Sequence, residues 1–455
     1  METIEKINSF LWNYPLLFLL MGTHLYFTIK LKFPQLKIAK ALKLSITPEA
    51  SLSNNTNETL MCHDKPGNPP SAKPISTFGA LATTLAATLG TGNIIGVSTA
   101  VALGGPGAVF WCWITGVLGM ATSYAECYLG SLFKEKNHDN AFVGGPMYVI
   151  KNGLHKKGLA AFYAVCTLFA AFGVGCTTQS NSLTQTTTLT WGLSPHLVGI
   201  VAAVVAGMVL LGGIQSISRV CTRLVPVLGF LYIAGCLILL FLNRSVLMEC
   251  IITILSCAFN PNAALGGTAG TTLIFAARYG IARGLYTNEA GIGTAAIAAA
   301  SSDTSNPSRQ AFVSMTAVFW DTVVMCLLSG LVIVANMMTH PETLEGVNET
   351  GLAAAAFQFL PIGGNTFLSL ALVAFAITTL IAWSYLGERA VEYLFGNKFI
   401  SFYKLCYIVM IYIGAVIPLD VVWQCTDLVN AVMVVPNVIA LFALQKYINR
   451  TDFEL

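Results

Sequence analysis

Long apolar runs separated by short polar or glycine-rich stretches dominate the chain. A helix crossing the hydrocarbon of a bilayer needs about 20 apolar residues. Eleven stretches fit that reading: 10–29, 77–103, 108–133, 159–190, 197–211, 224–242, 246–277, 311–338, 367–386, 402–419 and 428–447. The fifth is short, and the fourth and seventh are long enough to be tilted or broken. None alternates with the period of two that lipid-facing strands require, which excludes a β-barrel. The pattern predicts an all-α polytopic membrane protein of about eleven transmembrane helices. Its expected parts are an extra amino-terminal helix (1–30), a cytoplasmic, partly flexible loop (31–76), two five-helix halves (77–245 and 246–447) and a cytoplasmic tail (448–455).

Composition agrees. Of 455 residues, 55% are apolar and 10% charged, against roughly 25% charged in a soluble domain. A net charge of +3 with no basic run interleaved with aromatics gives no reason to expect nucleic acid. The 12 cysteines lie singly, with no C-x-x-C pair, and most sit inside apolar runs, so neither a disulfide framework nor a zinc site is expected. METIEKINSF has no basic n-region, and its apolar run reads as a retained span.

Lys and Arg set the orientation. With the amino terminus outside and the carboxyl terminus cytoplasmic, only Lys6 and Arg244 of the 24 basic residues fall outside, leaving 24 − 2 = 22 on the cytoplasmic side, Arg278 and Arg283 among them. The expected location is the inner membrane of a prokaryote. The segment 45–73, rich in Asn, Ser and Pro, reads as a flexible cytoplasmic loop.

Two spans are interrupted. The second carries Leu89-Gly90-Thr91-Gly92-Asn93 at its centre, and the seventh carries Pro261, Gly266, Gly267 and Gly270. Glycine destabilises a helix interior by ~1 kcal/mol relative to Ala, and unwound backbone at membrane depth is tolerated only where it lines a protein cavity. One alternative is close packing through small residues. These spans open two five-helix halves that enter the membrane from opposite sides, because each half has an odd number of helices. Interrupted helices at matching positions of an inverted repeat point to a transporter's binding site. Amides at the start of a second half-helix attract a carboxylate, and carbonyls at the end of a first half-helix suit a hard cation. An amino acid beside a sodium ion fits both.

In these blocks the chain resembles the alanine or glycine:cation symporter family. Gly104-GPGAVFWCWITGVLG is similar to that family's signature, with Cys112 where the family usually has Met. Thr91-GNIIGV, Gly144-GPMY, Gly212-GIQSISRV, Gly280-IARGLYTNEAGIG, Trp320-DT, Thr378-TLIAWSYLGERA and Val435-PN follow in order, from about Phe78 to the end. The resemblance implies a fold similar to the leucine transporter and coupling of sodium, or sometimes protons, to alanine, glycine or a related small amino acid. It implies that the amides of Thr91 and Gly92 meet the substrate carboxylate, and that the carbonyls of Ala86, Leu89 and Phe375 with the hydroxyls of Thr378 and Thr379 hold sodium. Adjacent hydroxyls in an apolar helix are also often bonded back to the preceding turn. Gln179 matches a substrate-contacting glutamine, or makes an interhelical hydrogen bond. Trp383 matches a pocket tryptophan that limits side-chain size, or is packing. Gly266 and Gly267 join the expected substrate site.

Asn93 is open between ion, substrate and a cap on the broken helix. Asp321, at mid-depth of the eighth span, serves either coupling or hydrogen bonds to neighbouring hydroxyls. Glu126 is expected to pair with a cytoplasmic base. Glu289 belongs either to an intracellular gate with Arg283 or to a solvated loop. The leading function is sodium-coupled symport of a small neutral amino acid by alternating access. Proton coupling, or glutamine or D-alanine as substrate, is the alternative within transport. Scattered histidines and the absence of an H-E-x-x-H or Ser–His–Asp pattern argue against a membrane enzyme. A channel would need a filter repeated among subunits. No cofactor and no obligate protein partner is expected; the ligands are the amino acid, sodium and the bilayer.

Overall fold

The computed structural model describes residues 15–47, 75–137, 140–259, 273–344, 351–361, 363–417 and 420–448, with residues 6, 8, 10–12 and 347 besides. The helices begin with α1 (Pro15–Lys30), α2 (Ile38–Ile46), α3 (Thr77–Thr88), α4 (Ile95–Gly104) and α5 (Ala108–Leu132). They continue with α6 (Pro146–Gly153), α7 (Lys157–Phe172), α8 (Thr178–Trp191), α9 (Pro195–Leu211) and α10 (Gly213–Leu242). Next come α11 (Leu247–Phe259), α12 (Leu273–Asn288), α13 (Thr294–Ala300), α14 (Pro307–Val318) and α15 (Leu327–Thr339). The last are α16 (Leu352–Phe357), α17 (Gly364–Phe395), α18 (Ile400–Val416) and α19 (Asp420–Leu444). A small hairpin, β1 (Glu135–Lys136) with β2 (Phe142–Val143), pairs antiparallel between α5 and α6.

Among the described residues, seven helices are long and apolar enough to cross a membrane, or up to nine if each bent pair is one span. The shorter apolar helices α9 and α11 fall on the fifth and seventh predicted stretches. Val204, Met208 and Leu211 of α9 and Phe402 of α18 remain exposed, as side chains facing lipid do. Buried hydroxyls inside the bundle bond back along their own helices, Thr83 to the Gly79 carbonyl (2.9 Å) and Thr84 to that of Ala80 (3.1 Å). In a membrane such internal satisfaction is obligatory.

Among the described residues, several spans depart from plain α-helix. α3 starts on an N-cap, the Ser76 hydroxyl accepting the Gly79 N–H at 3.0 Å, and ends where Leu89 and Gly90 turn extended. A short 3₁₀ turn, Thr91–Asn93, follows, and α4 leaves at 59° to α3. α7 and α8 join through a π-helical turn at Gly173–Thr177. α14 and α15 join through another at Phe319–Cys326. Such π segments are frequent at functional sites; the second lies against the break between α3 and α4, and Gln179, just after the first, reaches it.

The seventh predicted span needs correction. The carbonyl of Phe275 and the side chain of Tyr279 abut Gly104, at the far end of α4. The Asp303 N–H donates to the Ile75 carbonyl (3.1 Å), at the start of α3. The chain therefore crosses the bundle between 273 and 302 through α12 and α13, not between 246 and 277. α11 stays on the Gly104 side, where the Trp111 indole donates to the Ala258 carbonyl at 3.1 Å. Hydropathy favoured α11 because it is almost wholly apolar. α12 carries Arg278, Arg283 and Asn288, which a membrane helix can hold because it packs on α4 and α5 rather than on lipid. Arg278 and Arg283 thereby leave the cytoplasmic group to which the sequence assigned them.

The first loop also holds structure. Lys32 and Phe33 adopt positive φ (53° and 57°) and redirect the chain into α2. Arg309 Nη2 donates to the Thr47 carbonyl at 2.5 Å. From residue 48 onward the expected flexible segment lies outside the described residues.

Candidate substrate and ion site

The break between α3 and α4 is closed by its own asparagine. The Gly90 N–H donates to Asn93 Oδ1 at 3.0 Å rather than to the carbonyl of Ala86, its helical partner four residues back, and that carbonyl is released. The Leu89 carbonyl accepts the Thr379 hydroxyl of α17 at 3.3 Å. Thr378 donates within its own helix, to the carbonyls of Phe375 (2.9 Å) and Ala374 (3.2 Å). A hydroxyl that donates in this way keeps lone pairs for a cation. Ala86, Leu89, Phe375, Thr378 and Thr379 are all buried, and the oxygens they offer are neutral.

On the other face of the break, the Thr91 hydroxyl meets Gln179 Oε1 at 3.4 Å. Gln179 follows the first π turn, and its amide donates to the Val174 carbonyl at 3.3 Å. Trp383 is buried with its indole N–H unpartnered. A Cβ on Gly92 would lie 2.8 Å from Thr287 Cγ2, so only glycine lets the unwound turn approach α12 this closely. Of the roles open to Asn93, the structure displays the cap, together with a tie to the second π segment. Its amide donates to Asp321 Oδ1 at 2.6 Å and to the Asp321 carbonyl at 3.1 Å. Asp321 is fully buried, and its Oδ2 accepts the Thr322 hydroxyl at 2.6 Å. Gly266 and Gly267 lie outside the described residues.

A second interruption lies at Glu289–Gly293, between α12 and α13; Pro261 and Gly270 lie outside the described residues. Glu289, Gly291 and Gly293 all have positive φ (53°, 93° and 96°). Glu289 is buried and accepts the Thr294 hydroxyl at 2.5 Å. It makes no ion pair with Arg283, which sits beside Gly96 of α4, so neither a gate pair nor a solvated loop charge is present here. Unwound carbonyls are claimed from outside: Tyr163 donates to Ile292 (2.9 Å) and Asn437 to Gly291 (2.9 Å). The Asn437 amide also donates to Glu126 Oε1 at 2.6 Å. Glu126 thus pairs with an asparagine of α19, not with a cytoplasmic base.

T-N-E-A-G-I-G and V-P-N stand among the motif blocks of the sequence, yet Thr287, Asn288, Tyr163 and Asn437 were not among its candidate site residues. The signal was there: Asn-Glu followed by two glycines mirrors Gly-Thr-Gly-Asn. We expect Asn437→Leu to leave the Glu126 carboxyl and the Gly291 carbonyl without their donor. The expected loss is about 2 kcal/mol, visible as a lower unfolding midpoint in detergent. A midpoint equal to wild type would show that this clasp carries no weight.

The site is open to one side. A cavity of about 750 Å³ runs from Ile94 and Ile95 past Gln185 and Thr190 to Gln358 and Ser369, and among the described residues no charged side chain lines it. At the opposite end of α17, buried Arg389 pairs with Glu388 (2.6 Å) and Glu392, and Lys404 reaches Glu388 at 3.1 Å. The Asn137 amide donates to Glu392 at 2.8 Å.

The model of the sodium:alanine symporter family matches residues 1–452. The chain belongs to that family. As a member, the symporter is a multi-pass membrane transporter coupling sodium to an amino acid, and not an enzyme. It is 39% identical over 447 residues to a sodium/alanine symporter, AgcS, of Methanococcus maripaludis, covering 97% of this chain and 94% of the relative. It is 32% identical to a probable sodium/glutamine symporter, GlnT, of Bacillus subtilis, covering 97% and 87%. Its fold is similar to that of a solved Na⁺-coupled sialic acid symporter, with a TM-score of 0.58 at 11% identity over 95% of this chain and 87% of the other.

Proposed function

We propose that the symporter carries a small neutral amino acid, alanine or glycine, into a prokaryotic cell with sodium, by alternating access. Sodium sits among the carbonyls of Ala86, Leu89 and Phe375 and the hydroxyls of Thr378 and Thr379. The substrate carboxylate meets the unwound amides of Thr91 and Gly92, Gln179 orients the zwitterion, and Trp383 bounds its side chain. Asn93 and Asp321 hold the break. The observation that carries this reading is the contact between the Leu89 carbonyl and the Thr379 hydroxyl. It joins the broken helix to α17 through buried neutral oxygens, which suit sodium better than a proton because no carboxylate is among them.

Rocking then follows from what each end offers. The 750 Å³ vestibule admits substrate from the side the sequence assigns to the exterior, while the Arg389 network closes the cytoplasmic end. Sodium bound between α3 and α17 fixes the unwound turn and raises affinity for the amino acid. The eleven-span, five-plus-five arrangement, with the amino terminus outside, completes the proposal. Alanine is favoured over glutamine because the relative named for alanine is nearer in identity, 39% against 32%.

The test is radiolabelled alanine uptake into proteoliposomes under an inward sodium or choline gradient, for wild type and Thr379→Ala. We expect saturable uptake only with sodium, and a half-saturating sodium concentration at least about tenfold higher in the variant, from loss of one ligand worth roughly 1.4 kcal/mol. Uptake equal in choline but driven by a pH gradient would move coupling to protons. Sodium-driven uptake of glutamine but not alanine would replace the substrate.

A further inference from the structure

A second cavity, of about 470 Å³, shares no lining residue with the vestibule. It lies between α2, α3 and α10 and reaches Leu85, Leu89 and Met325. Among the described residues its lining is apolar apart from Ser45 and the indole N–H of Trp320. At its mouth, Ile46 of α2 and Phe230 of α10 are 77% and 71% exposed, as side chains on the membrane-facing flank are. Gly229 on its α10 wall is buried, yet a Cβ built there meets nothing within 4 Å. A buried glycine facing open space marks room for another molecule, and apolar cavities of this kind take up apolar ligands rather than water.

Three bases neighbour its lining along the chain. Lys43 follows Leu42 of α2, which lines the cavity, and Arg219 and Arg223 lie within two turns before Pro226 on α10. All three are exposed, with no ion-pair partner among the described residues. An apolar hole open to hydrocarbon beside a cationic rim is the recognition chemistry of an acidic lipid: phosphate on the bases, acyl chain in the hole. We propose that this cavity is a binding site for one anionic phospholipid of the surrounding bilayer. Its acyl chain lies against α3 on the flank away from Thr379.

The test is lipid retention, which does not depend on what the protein transports. The full chain is purified from membranes and exchanged into detergent micelles with equal phosphatidylglycerol and phosphatidylcholine. Bound lipid is then counted by native mass spectrometry. Wild type is expected to hold one phosphatidylglycerol with at least fivefold preference. Gly229→Leu, which occupies the hole with its own side chain, is expected to retain at least fivefold less lipid of either kind. The surface variant Lys43→Gln/Arg219→Gln/Arg223→Gln, which leaves the interior untouched, is expected to keep lipid but lose the preference. Wild type without bound lipid, or Gly229→Leu retaining as much as wild type, would overturn the proposal. Unchanged preference in the triple variant would overturn the assignment of the headgroup.

Discussion

Replacing Asp321 by alanine will reduce sodium-driven uptake by at least about 100-fold, whereas Asp321→Asn will stay within about tenfold of wild type. The Asn93 amide loses its 2.6 Å acceptor in the alanine variant and keeps only the Asp321 carbonyl and the sulfur of Cys326. The Thr322 hydroxyl loses its acceptor as well. Buried hydrogen bonds to a charged group contribute roughly 1.5–3 kcal/mol each, and about 3 kcal/mol corresponds to on the order of 100-fold. Asparagine preserves an oxygen for Asn93, so the cap on the broken helix survives. Uptake and size-exclusion profiles of both variants, measured side by side, separate lost function from lost fold. An asparagine variant as inactive as alanine would mean that the charge itself carries coupling, and the tie is secondary.

Gly175→Ala will be nearly as severe, although it adds one methyl group. A Cβ at that position would lie 2.2 Å from Trp383 Cβ and 2.4 Å from its Cγ, where carbon atoms prefer about 3.5–4.0 Å. The two elements cannot simply part. The Tyr407 hydroxyl donates to the Gly175 carbonyl (3.1 Å) and to the Leu380 carbonyl of α17 (2.9 Å), clamping the first π turn to α17. Overpacking of this kind costs about 3 kcal/mol. The displacement falls one turn from Thr379, so the half-saturating sodium concentration should rise more than tenfold as maximal uptake falls. A sodium titration of uptake beside a thermal melt checks both. Normal sodium dependence in a destabilised variant would confine Gly175 to packing and detach it from the ion site.

The sequence was most legible where its signal was local. A glycine pair and an asparagine in the middle of an apolar span announced the break at Leu89–Asn93, and the structure bends there by 59°. α5, α10 and α17 fall on unbroken apolar stretches. The seventh crossing was misplaced because hydropathy ranks segments by affinity for lipid. α11 is apolar on nearly every face and drew the span toward itself, while α12 and α13 cross the bundle inside a sheath of other helices. Their polar residues are matched inside the protein, Asn288 by Thr115 from 173 residues away and Glu289 locally by Thr294. The same reason hid Asn437, whose two acceptors, Glu126 and the Gly291 carbonyl, lie 311 and 146 residues away.

By itself the sequence determined that this chain lives in a membrane as a helical bundle, that its second span is interrupted, and which motif blocks tie it to its family. Composition and periodicity dictate the first of these, because a bilayer core accepts only backbone that satisfies its own hydrogen bonds, as these apolar runs do when helical. The glycine pair with Asn93 marks the second, and the motif blocks themselves carry the third. Only the tertiary structure decided which segment makes the seventh crossing, that Asn93 caps the break while holding Asp321, and that Glu289 and Glu126 are buried with neutral partners instead of paired with bases. Those outcomes depend on which side chains meet across the bundle. Hydrogen bonds between elements hundreds of residues apart leave no periodic trace in the chain that forms them.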